Sequence, residues 1–587
     1  MALLTFVLFA VVHFSTSAPI LGLTREGNFL HRFVQNFEAR MSTVFFRLRG
    51  EKPAHPDVVV LEIDERGAQK FGLWPWREAL AVALSNLIDA DAKVIGLDLA
   101  FLDADPGEPT AEKAWLATLA AEPQLPASLL PLKAALEARV KRSPDDALEA
   151  FFKKAGPRVV QGVIPFTQEE TKTIAGAQRT LYSQSASRVV LTQAPGRVKG
   201  SVVDLTDVEA YPYVGVQMPL PRFAAAGSSF GHFGTLPDID STIRRSPMLV
   251  RLEDAPGLFP SLALQVAAQQ LDAEIVPIVD SGALRAIELR GARTVEIPVD
   301  EELPLTLVNY PGNVGSFTRL SIVDAYENTF DRSKVKGRAL LAGVTITGSS
   351  GDQRVTPFSE FTAGVYTHAS LVSNVLAGDF LSRPQWLGYL ELTLMLALGL
   401  VIAVVVQQLR SFPGKLVAIV AVLVGFTVLT LVMFSSGYKL HWVVPTLHLT
   451  VTAFLSVFLG YLSLDREKVK MRSTFSRYLG EDVMDVALQD PDKLNRGEKR
   501  EMTVLFSDIR GFTSLSEHMS PEKLADFINQ YLSPMTQIVF DEKGTLDKYI
   551  GDAVMAFWNA PLDQPDHALR ACRAAVHMLE RLEELKA

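Results

Sequence analysis

The sequence has few cysteines and few charges for its length. Cys572 is the single cysteine in 587 residues, which excludes an intrachain disulfide framework. Any domain outside the cytoplasm must therefore be stable through its hydrophobic core. The net charge of −9 is mild and gives no reason to expect nucleic acid as a partner. Charged residues make up 21% and hydrophobic residues 48%, a balance that indicates membrane segments. The length predicts several domains.

Three long apolar runs between residues 385 and 464 predict three transmembrane helices. A run of 19 uncharged residues, such as the second one, is about what a helix needs to cross ~30 Å of hydrocarbon. Trp386 and Tyr389 before the first run are typical of an interfacial anchor. Glu391 could be a functional intramembrane carboxylate, but its place at a helix end favours an interfacial acid. The runs are Leu392–Val406, Leu416–Phe434 and His441–Leu464.

Lysine and arginine near the helix ends predict the orientation. Arg410 and Lys415 lie between the first two spans, whereas the loop between the second and third contains Lys439. Everything after residue 465 is therefore expected in the cytoplasm, and residue 385 outside. The basic residues after the last span are Arg466, Lys468, Lys470 and Arg472.

Residues 1–24 must then cross the membrane as well. Met1–Val12 is strongly apolar, and no charge occurs before Arg25. A cleaved signal peptide with a small-residue site at Ser15–Ala18 is the alternative, but Pro19 disfavours cleavage and no basic segment precedes the apolar run. We interpret the segment as an uncleaved anchor, and the abrupt apolar start indicates a clipped or misassigned N-terminus.

Residues 25–384 alternate strand and helix patterns. Pro56–Ile63 and Lys93–Leu99 are buried-strand runs, and Leu80–Leu87 between them has helical spacing. This βαβ pattern predicts an α/β domain with a parallel sheet, and Pro106–Ala155 predicts a helical insertion.

Two groups of side chains in this region could bind a ligand. Asp98, Asp103 and Asp105 could form a cation site at a strand end, although solvated loop carboxylates are the favoured interpretation. Trp74 and Trp76 could stack a ligand, although packing at a sheet-to-helix turn is favoured.

Three blocks of this region together resemble an extracytoplasmic sensor of bacterial receptors, the second type of CHASE domain. The resemblance covers nearly the whole outer region and implies a bacterial inner-membrane protein with an outer sensor for an unidentified signal. The blocks are Trp74–Arg77, Pro237–Arg245, and Gly348–Asp352 followed by Val365–His368.

The charged stretch 465–500 is compatible with a helix and predicts a segment that couples the membrane helices to the C-terminal domain. A dimeric helix pair and a surface helix packed on its own domain both fit its short apolar pattern. The apolar residues are Phe475, Tyr478, Leu479, Val483, Met484 and Val486.

Residues 501–587 predict the element order β-α-β-β-α, five of the six elements of an α+β, ferredoxin-like βαββαβ unit. Ser520 is the expected N-cap of the first long helix, with Pro521 at its first position. The other elements are the strands Met502–Ser507, Thr545–Tyr549 and Ala553–Trp558 and the helix Asp566–Leu585. The last helix is expected to bury Leu569, Cys572, Ala575, Leu579 and Leu582.

Two aspartates stand where chemistry is expected. Asp508 ends the first strand and Asp552 lies in the hairpin turn, so neighbouring strands would bring both carboxylates to one edge of the sheet. Two like charges at close range need a cation between them, and Mg²⁺ prefers hard oxygen ligands and keeps sites open for phosphates. A two-metal site could then activate an attacking oxygen. The backbone N–H groups of Gly511–Thr513, near a helix start, could hold phosphates.

Phe506–Thr513 and Lys548–Ala556 resemble the two N-terminal signatures of class III adenylate and guanylate cyclases. The resemblance implies that Asp508, Asp552 and the Ile509 carbonyl bind two Mg²⁺ or Mn²⁺ ions. It also implies that Phe512 and Thr513 contact the substrate phosphates and that Lys548 reads the base. A lysine ammonium suits the N1 acceptor of adenine, so ATP is the expected substrate and cyclic AMP the product. The alternative is that Lys548 is an ordinary exposed lysine with no role in base recognition.

The family continues past Ala587 with a second base-reading residue and a transition-state Asn–Arg pair. We therefore expect a fragment that produces no cyclic nucleotide alone, from an enzyme that is an obligate homodimer. A guanylate cyclase and a non-catalytic receptor with a degenerate cyclase domain remain alternatives. A diguanylate cyclase and a sensor kinase lack their motifs here. The expected division is an anchor (1–24), a sensor (25–384), three transmembrane helices (385–464), a coupling segment (465–500) and a cyclase half (501–587).

Overall fold

The structure, a computed structural model, forms two compact units, residues 1–454 and 455–587, which we describe separately. Several predicted features lie outside the described residues: the cleavage site after Ala18, Arg410, residues 348–351 and most of the coupling segment. The structure describes residues 2–17, 29–72, 74–121, 126–141, 143–167, 170, 190–195, 202–227, 229–253, 255–280, 282–300, 304–347, 352–409, 411–475, 499–560 and 562–586.

A seven-stranded, mainly parallel sheet organises the first unit, as the βαβ pattern predicts. Val58–Ile63 and Val94–Asp98 are not neighbours, because Ala339–Val344 lies between them and pairs with both in parallel. Thr318–Ser321 completes one edge. On the other side the sheet continues with Val159–Phe166, which pairs with Gly215–Gln217 and Ser229–His232.

Helices cover both faces of this sheet. Successive strand residues point to opposite faces, so Val58 and Val60 join one core whereas Val59 and Leu61 join another. Such double coverage explains the continuous apolar runs of the strands. The first core includes residues of the helices Leu262–Gln270 and Val365–Ala377, and the second those of Arg77–Asp89, Pro144–Ala155 and Ile322–Glu327.

Smaller elements surround the central sheet, and three helices form the predicted insertion: Thr110–Ala121, Leu130–Val140 and Pro144–Ala155. The other helices of the domain are Phe29–Arg49, Glu65–Phe71 and Pro221–Ala224. The other strands are Gln193–Pro195, Val202–Asp204, Tyr211–Tyr213, Leu236–Pro237, Ile243–Ser246, Leu249–Leu252, Ala255–Pro260, Glu274–Asp280, Ala283–Arg290, Thr294–Pro298, Thr306–Leu307, Gln353–Arg354 and Thr362–Ala363.

Two of the sequence blocks in this domain build buried ion pairs. The Arg77 side chain is 5% exposed and lies 2.5 Å from Asp145 Oδ1. Arg244, 2% exposed, lies 2.9 Å from Asp238 and 2.8 Å from Asp240. Arg77 therefore joins two helices, and Arg244 fixes the loop that contains Asp238 and Asp240.

The two tryptophans of the first block pack as favoured. Trp76 is buried in the second core, and the Trp74 ring lies edge-on 5.4 Å from it. A packed turn is therefore confirmed.

The interpretation of the three loop aspartates as solvated is wrong for two of them. The side chains of Asp98 and Asp105 are 6% and 8% exposed, whereas Asp103 is exposed. Asp105 is enclosed beside Arg77 and Asp145, which belong to different helices. Such burial depends on contacts between distant segments.

Among the described residues, three helices are long and apolar enough to cross a membrane: Gln385–Gln408, Phe412–Ser435 and the Val443–Leu462 part of Val443–Phe475. The helix Ala2–Ser17 packs beside them, with Phe9 in a cluster with Met395 and Val444. Its apolar part, Ala2–His13, is shorter than a span. The N-terminal anchor therefore stays a prediction.

Glu391 is fully buried, so the expectation of an acid that extends from the helix end to the solvent is wrong, whereas its position relative to the membrane stays a prediction. Arg383 donates to both of its carboxylate oxygens, at 2.8 and 3.0 Å. The backbone N–H of His441 donates at 2.6 Å, and His13 Nε2 lies 2.9 Å away. The N-terminal helix and the loop before the third span thus enclose a carboxylate that the hydropathy pattern places at a helix end.

Candidate active site

The second unit has the predicted order of strands and helices. Its strands form an antiparallel sheet in which Ala553–Trp558 lies between Thr503–Ser507 and Thr545–Ile550. Ser520 caps the first long helix by accepting the N–H of Lys523. The helices are Phe512–Ser516, Pro521–Asp541 and His567–Lys586. The core contains Tyr531, Leu532, Met535, Val539, Leu546, Val554, Ala556, Trp558, Ala571, Ala574 and Met578.

The predicted burial of the last helix is wrong for Leu569, Cys572 and Leu579, whereas Leu582 is partly buried against the core. Leu569 and Leu579 are 53% and 66% exposed and Cys572 is exposed, whereas Ala571, Ala574 and Met578 are buried. Small residues let the helix approach the sheet closely, so it turns its alanine face inward.

The sheet brings the segments of the two aspartates together. Ser507 pairs with Val554, so Asp508 leaves its strand beside the hairpin turn that contains Asp552. Asp552 Oδ2 accepts the backbone N–H of Ile509, the residue after Asp508, at 3.0 Å. Asp552 is 9% exposed and Asp508 is exposed. One carboxylate is thus fixed by the backbone and the other faces solvent.

Two glycines shape the turns that carry the aspartates. Gly551 has φ +67° and Gly511 has φ +72°, conformations that a side chain disfavours. Gly511 begins the helix Phe512–Ser516, and the Phe512 N–H bonds the Ile509 carbonyl at 3.3 Å. This helix has five residues, so its dipole contributes little.

Lys548 lies on the strand before the hairpin turn and is exposed. The register shifts between Leu546 and Lys548, and Lys548 Nζ lies 3.2 Å from Asp547 Oδ2. The lysine therefore reaches solvent with a carboxylate beside it.

Tyr531 is a residue near the site that the sequence pattern misses. It is a buried residue of the first long helix, and burial together with Asp552 and Asp508 raises the pKa of its hydroxyl. Its helical spacing predicts a core residue. The sequence signal that could have indicated a place near the site is its hydroxyl group on an otherwise apolar helix face.

The donors of this site fit a hard divalent cation. Asp508, Asp552 and the Ile509 carbonyl offer oxygen donors, the ligand type that Mg²⁺ and Mn²⁺ prefer. Among the described residues, one group of three His, Cys, Asp or Glu side chains has its ligand atoms within 4.8 Å of one another. The group is His13, Glu391 and His441. There Arg383 already holds both oxygens of Glu391, so we interpret that group as an ion-pair network.

The comparisons with known proteins identify both units. The CHASE2 domain model matches residues 11–405, more than half of the chain, so the chain belongs to the CHASE2 family. The model of the adenylate and guanylate cyclase catalytic domain matches residues 494–587. The predicted α/β sensor and α+β class III cyclase domain are therefore confirmed, with the apolar helices between their folded parts.

Individual relatives match the cyclase part. Adenylate cyclase 1 of Rhizobium meliloti is 34% identical over 111 residues, 19% of this chain and 17% of that protein. The crystal structure of the adenylyl cyclase CyaB from P. aeruginosa is 41% identical, with a TM-score of 0.14, and the match covers 14% of this chain and 44% of that one. The guanylyl cyclase Cya2 structure is 40% identical, with a TM-score of 0.15, over 15% and 45% of the two chains. The chain thus spans less than half of each relative.

Proposed function

We propose that this protein is a membrane-bound receptor adenylate cyclase that converts ATP to 3′,5′-cyclic AMP and pyrophosphate under the control of its outer domain. The observation that carries the proposal is the contact between the Asp552 carboxylate and the backbone N–H that follows Asp508. It joins the two signature segments at one edge of the sheet. The domain boundaries of the sequence analysis, with the sensor in the periplasm and the cyclase in the cytoplasm, belong to this proposal.

The residues of the site divide the work of phosphoryl transfer. Asp508, Asp552 and the Ile509 carbonyl would hold two divalent cations, and such ions would supply charge stabilisation for the attacking 3′-oxygen and the leaving pyrophosphate. The backbone N–H bond fixes Asp552, so little reorganisation is needed when substrate binds. The loop Gly511–Thr513 positions the phosphates, and positioning contributes a large part of the rate in such reactions.

The base preference depends on Lys548. Its ammonium can donate to N1 of adenine, whereas guanine offers an N1–H and an amino group that call for a carboxylate. Lys548 is exposed and lies within ion-pair distance of Asp547, so it is held near the sheet edge without being buried. This chemistry favours ATP over GTP.

A second copy of the chain is the proposed partner of the cyclase unit. Phe506 is 63% exposed and Val504 44% exposed on the first strand, and Ile550 is 52% exposed at the hairpin. Together they form an apolar sheet face that the unit's own helices leave open. A homodimer covers this face and suits an enzyme whose site is completed between subunits.

Cyclic AMP and cyclic GMP formation by the whole gene product in membranes tests the proposal. We expect Mn²⁺-dependent cyclic AMP formation that Asp552→Asn abolishes and Asp526→Asn, an exposed aspartate on the first long helix, preserves. Lys548→Glu should lower the preference for ATP over GTP about tenfold or more. Predominant cyclic GMP formation would support the guanylate cyclase alternative, and no product with either nucleotide would support the non-catalytic receptor.

A further inference from the structure

The carboxyl ends of the central strands form a second cluster of polar side chains, in the sensor domain. Asp98 ends its strand and His232 ends another, and both stand at the edge where open α/β sheets bind ligands. His368, in the helix Val365–Ala377, reaches the same edge, with its Nε2 3.8 Å from Asp98 Oδ1.

This cluster is buried and its polar atoms are incompletely bonded. The side chains of Asp98 and His368 are 6% and 4% exposed, and His232 is fully buried. Within the described parts of the chain, Asp98 Oδ2, His368 Nδ1 and both ring nitrogens of His232 have no hydrogen-bond partner. Buried polar atoms are nearly always bonded in folded proteins, so these atoms call for partners from bound water or a ligand.

Asp352 extends the cluster toward the surface and leaves it short of positive charge. Burial raises the pKa of Asp98 to about 7, and burial with Asp98 nearby raises that of Asp352 to about 7. Burial lowers the pKa of His368 to about 4, so its ring is neutral near pH 7. The Nη2 atom of Arg354 lies 3.5 Å from Asp352 Oδ1. Among the described residues, Arg354 supplies the arginine charge that acts on both carboxylates. Above pH 7, where both aspartates are ionised, the charge of Arg354 balances one of the two negative charges.

A cavity opens beside Asp352. It has a volume of about 100 Å³, and Val344 is one of the residues that line it. The preceding residue, Gly343, pairs with Asp98 on the neighbouring strand. A Cβ on Gly364 would lie 2.4 Å from Asp352 Oδ1, so the carboxylate packs directly against a glycine. Phe361, which also lines the cavity, is 74% exposed. An exposed aromatic ring beside a carboxylate is the combination that recognises ammonium groups.

We propose that this cavity binds a small organic cation, with its ammonium group between the Asp352 carboxylate and the Phe361 ring, two of the residues that line the cavity. The cluster offers no set of three converging metal ligands among the described residues, in contrast to His13, Glu391 and His441. A cation of this class supplies the missing positive charge and covers the exposed ring. This inference concerns ligand binding by the outer domain, and its test requires no cyclase activity.

Ligand-observed NMR with the full chain in nanodiscs tests the proposal. The probes are choline and n-propylammonium, each compared with an uncharged analogue of similar shape, 3,3-dimethyl-1-butanol and 1-butanol. Binding is measured at about pH 8, where the carboxylates are ionised. Asp352→Asn and Phe361→Ala remove the two contacts, and Glu360→Gln removes an exposed charge next to Phe361 that does not line the cavity.

We expect saturable binding of at least one cation at millimolar concentration and none of the neutral analogues. Asp352→Asn and Phe361→Ala should each weaken binding about tenfold, and Glu360→Gln should leave it unchanged. Equal binding of a neutral analogue, binding unaffected by both cavity variants, or no binding of either cation by the wild-type chain would each overturn the proposal. So would displacement of the bound probe by Ca²⁺ or Zn²⁺ at stoichiometric concentration, because an inorganic ion would then be the ligand.

Discussion

At the candidate active site, the two aspartates have different surroundings. Asp552 is buried and accepts a backbone N–H, whereas Asp508 faces solvent. A cation that arrives from solvent can therefore meet Asp508 first and then an acid already held in place. In the proposed function, the fixed acid would reduce the reorganisation that a charged substrate complex requires.

The residues of this site could be predicted because each lies in a short local pattern. Asp508 follows an apolar strand and Asp552 follows a strand and a glycine, and both settings can be read within ten residues. Asp98 could not be predicted in the same way. Its burial depends on His368 and Asp352, which are far away in the sequence.

The raised pKa of Asp98 predicts a pH dependence of stability. Burial raises this pKa from 3.8 to about 7, so the folded state keeps a proton that the unfolded chain loses between these pH values. The contribution of Asp98 to stability is therefore fully present at low pH and is lost as pH rises toward 7. The unfolding temperature of wild type minus that of Asp98→Asn should decrease between about pH 5 and pH 7. Each kcal/mol of unfolding free energy lost corresponds to a decrease of roughly 2–4 °C.

Using the difference between two proteins removes the opposite effect of the buried histidines. Burial lowers the pKa values of His368 and His232 to about 4 and about 3, so they favour folding as pH rises toward 6.5 in both proteins. Asp103→Asn, at an exposed position nearby, is the matched control. A wild-type-to-Asp98→Asn difference that stays constant with pH would contradict the prediction.

At the scale of elements, the hairpin turn between the last two strands positions Asp552. Gly551 has φ +67°, and Ile550 and Ala553 close the turn as a pair. A β-branched residue at Gly551 strains the turn by about 1–2 kcal/mol. We therefore expect Gly551→Val to lower the free energy of Mn²⁺ binding at the site by more than it lowers the free energy of unfolding of the unit.

Gly551→Asn provides the matched control for this prediction. Asparagine tolerates the left-handed conformation, so this variant should retain most of the Mn²⁺ affinity that Gly551→Val loses. Mn²⁺ affinity and the unfolding temperature are measured for both variants. Equal affinities for Mn²⁺ would show that the turn does not set the position of Asp552.

The last helix shows what an element's own sequence does not determine. Apolar residues occur on more than one side of His567–Lys586, so periodicity allows several inward faces. The sheet selects the face with Ala571 and Ala574, since small side chains permit close packing. Leu569 and Leu579 are left exposed for the same reason.

At the scale of the whole molecule, local patterns predict the elements better than their neighbours. The three apolar helices follow from length and hydropathy, because a membrane span must satisfy its backbone internally. The parallel sheet follows from βαβ spacing, but its strand order does not. Ala339–Val344 enters between two strands that precede it by hundreds of residues, a pairing that no local signal marks.

The buried Glu391 network connects the N-terminal helix with the membrane helices. Glu391→Gln removes the carboxylate that pairs with Arg383, whose side chain is 15% exposed. Breaking a buried ion pair on one side costs about 3–5 kcal/mol. We expect a corresponding loss of unfolding free energy in detergent micelles, and partial recovery in the double variant Arg383→Gln/Glu391→Gln. Thr393→Val, an exposed change on the same helix, should have little effect, and additive single effects would contradict the coupling.

Mn²⁺ binding by the 587-residue chain tests the central claim most directly. Electron paramagnetic resonance in the presence of ATP counts the Mn²⁺ ions that the protein–nucleotide complex retains. We predict saturable binding that Asp508→Asn and Asp552→Asn each reduce at least about tenfold and Asp526→Asn leaves unchanged. Equal Mn²⁺ binding by wild type and both site variants would contradict the assignment of this sheet edge as a metal–nucleotide site.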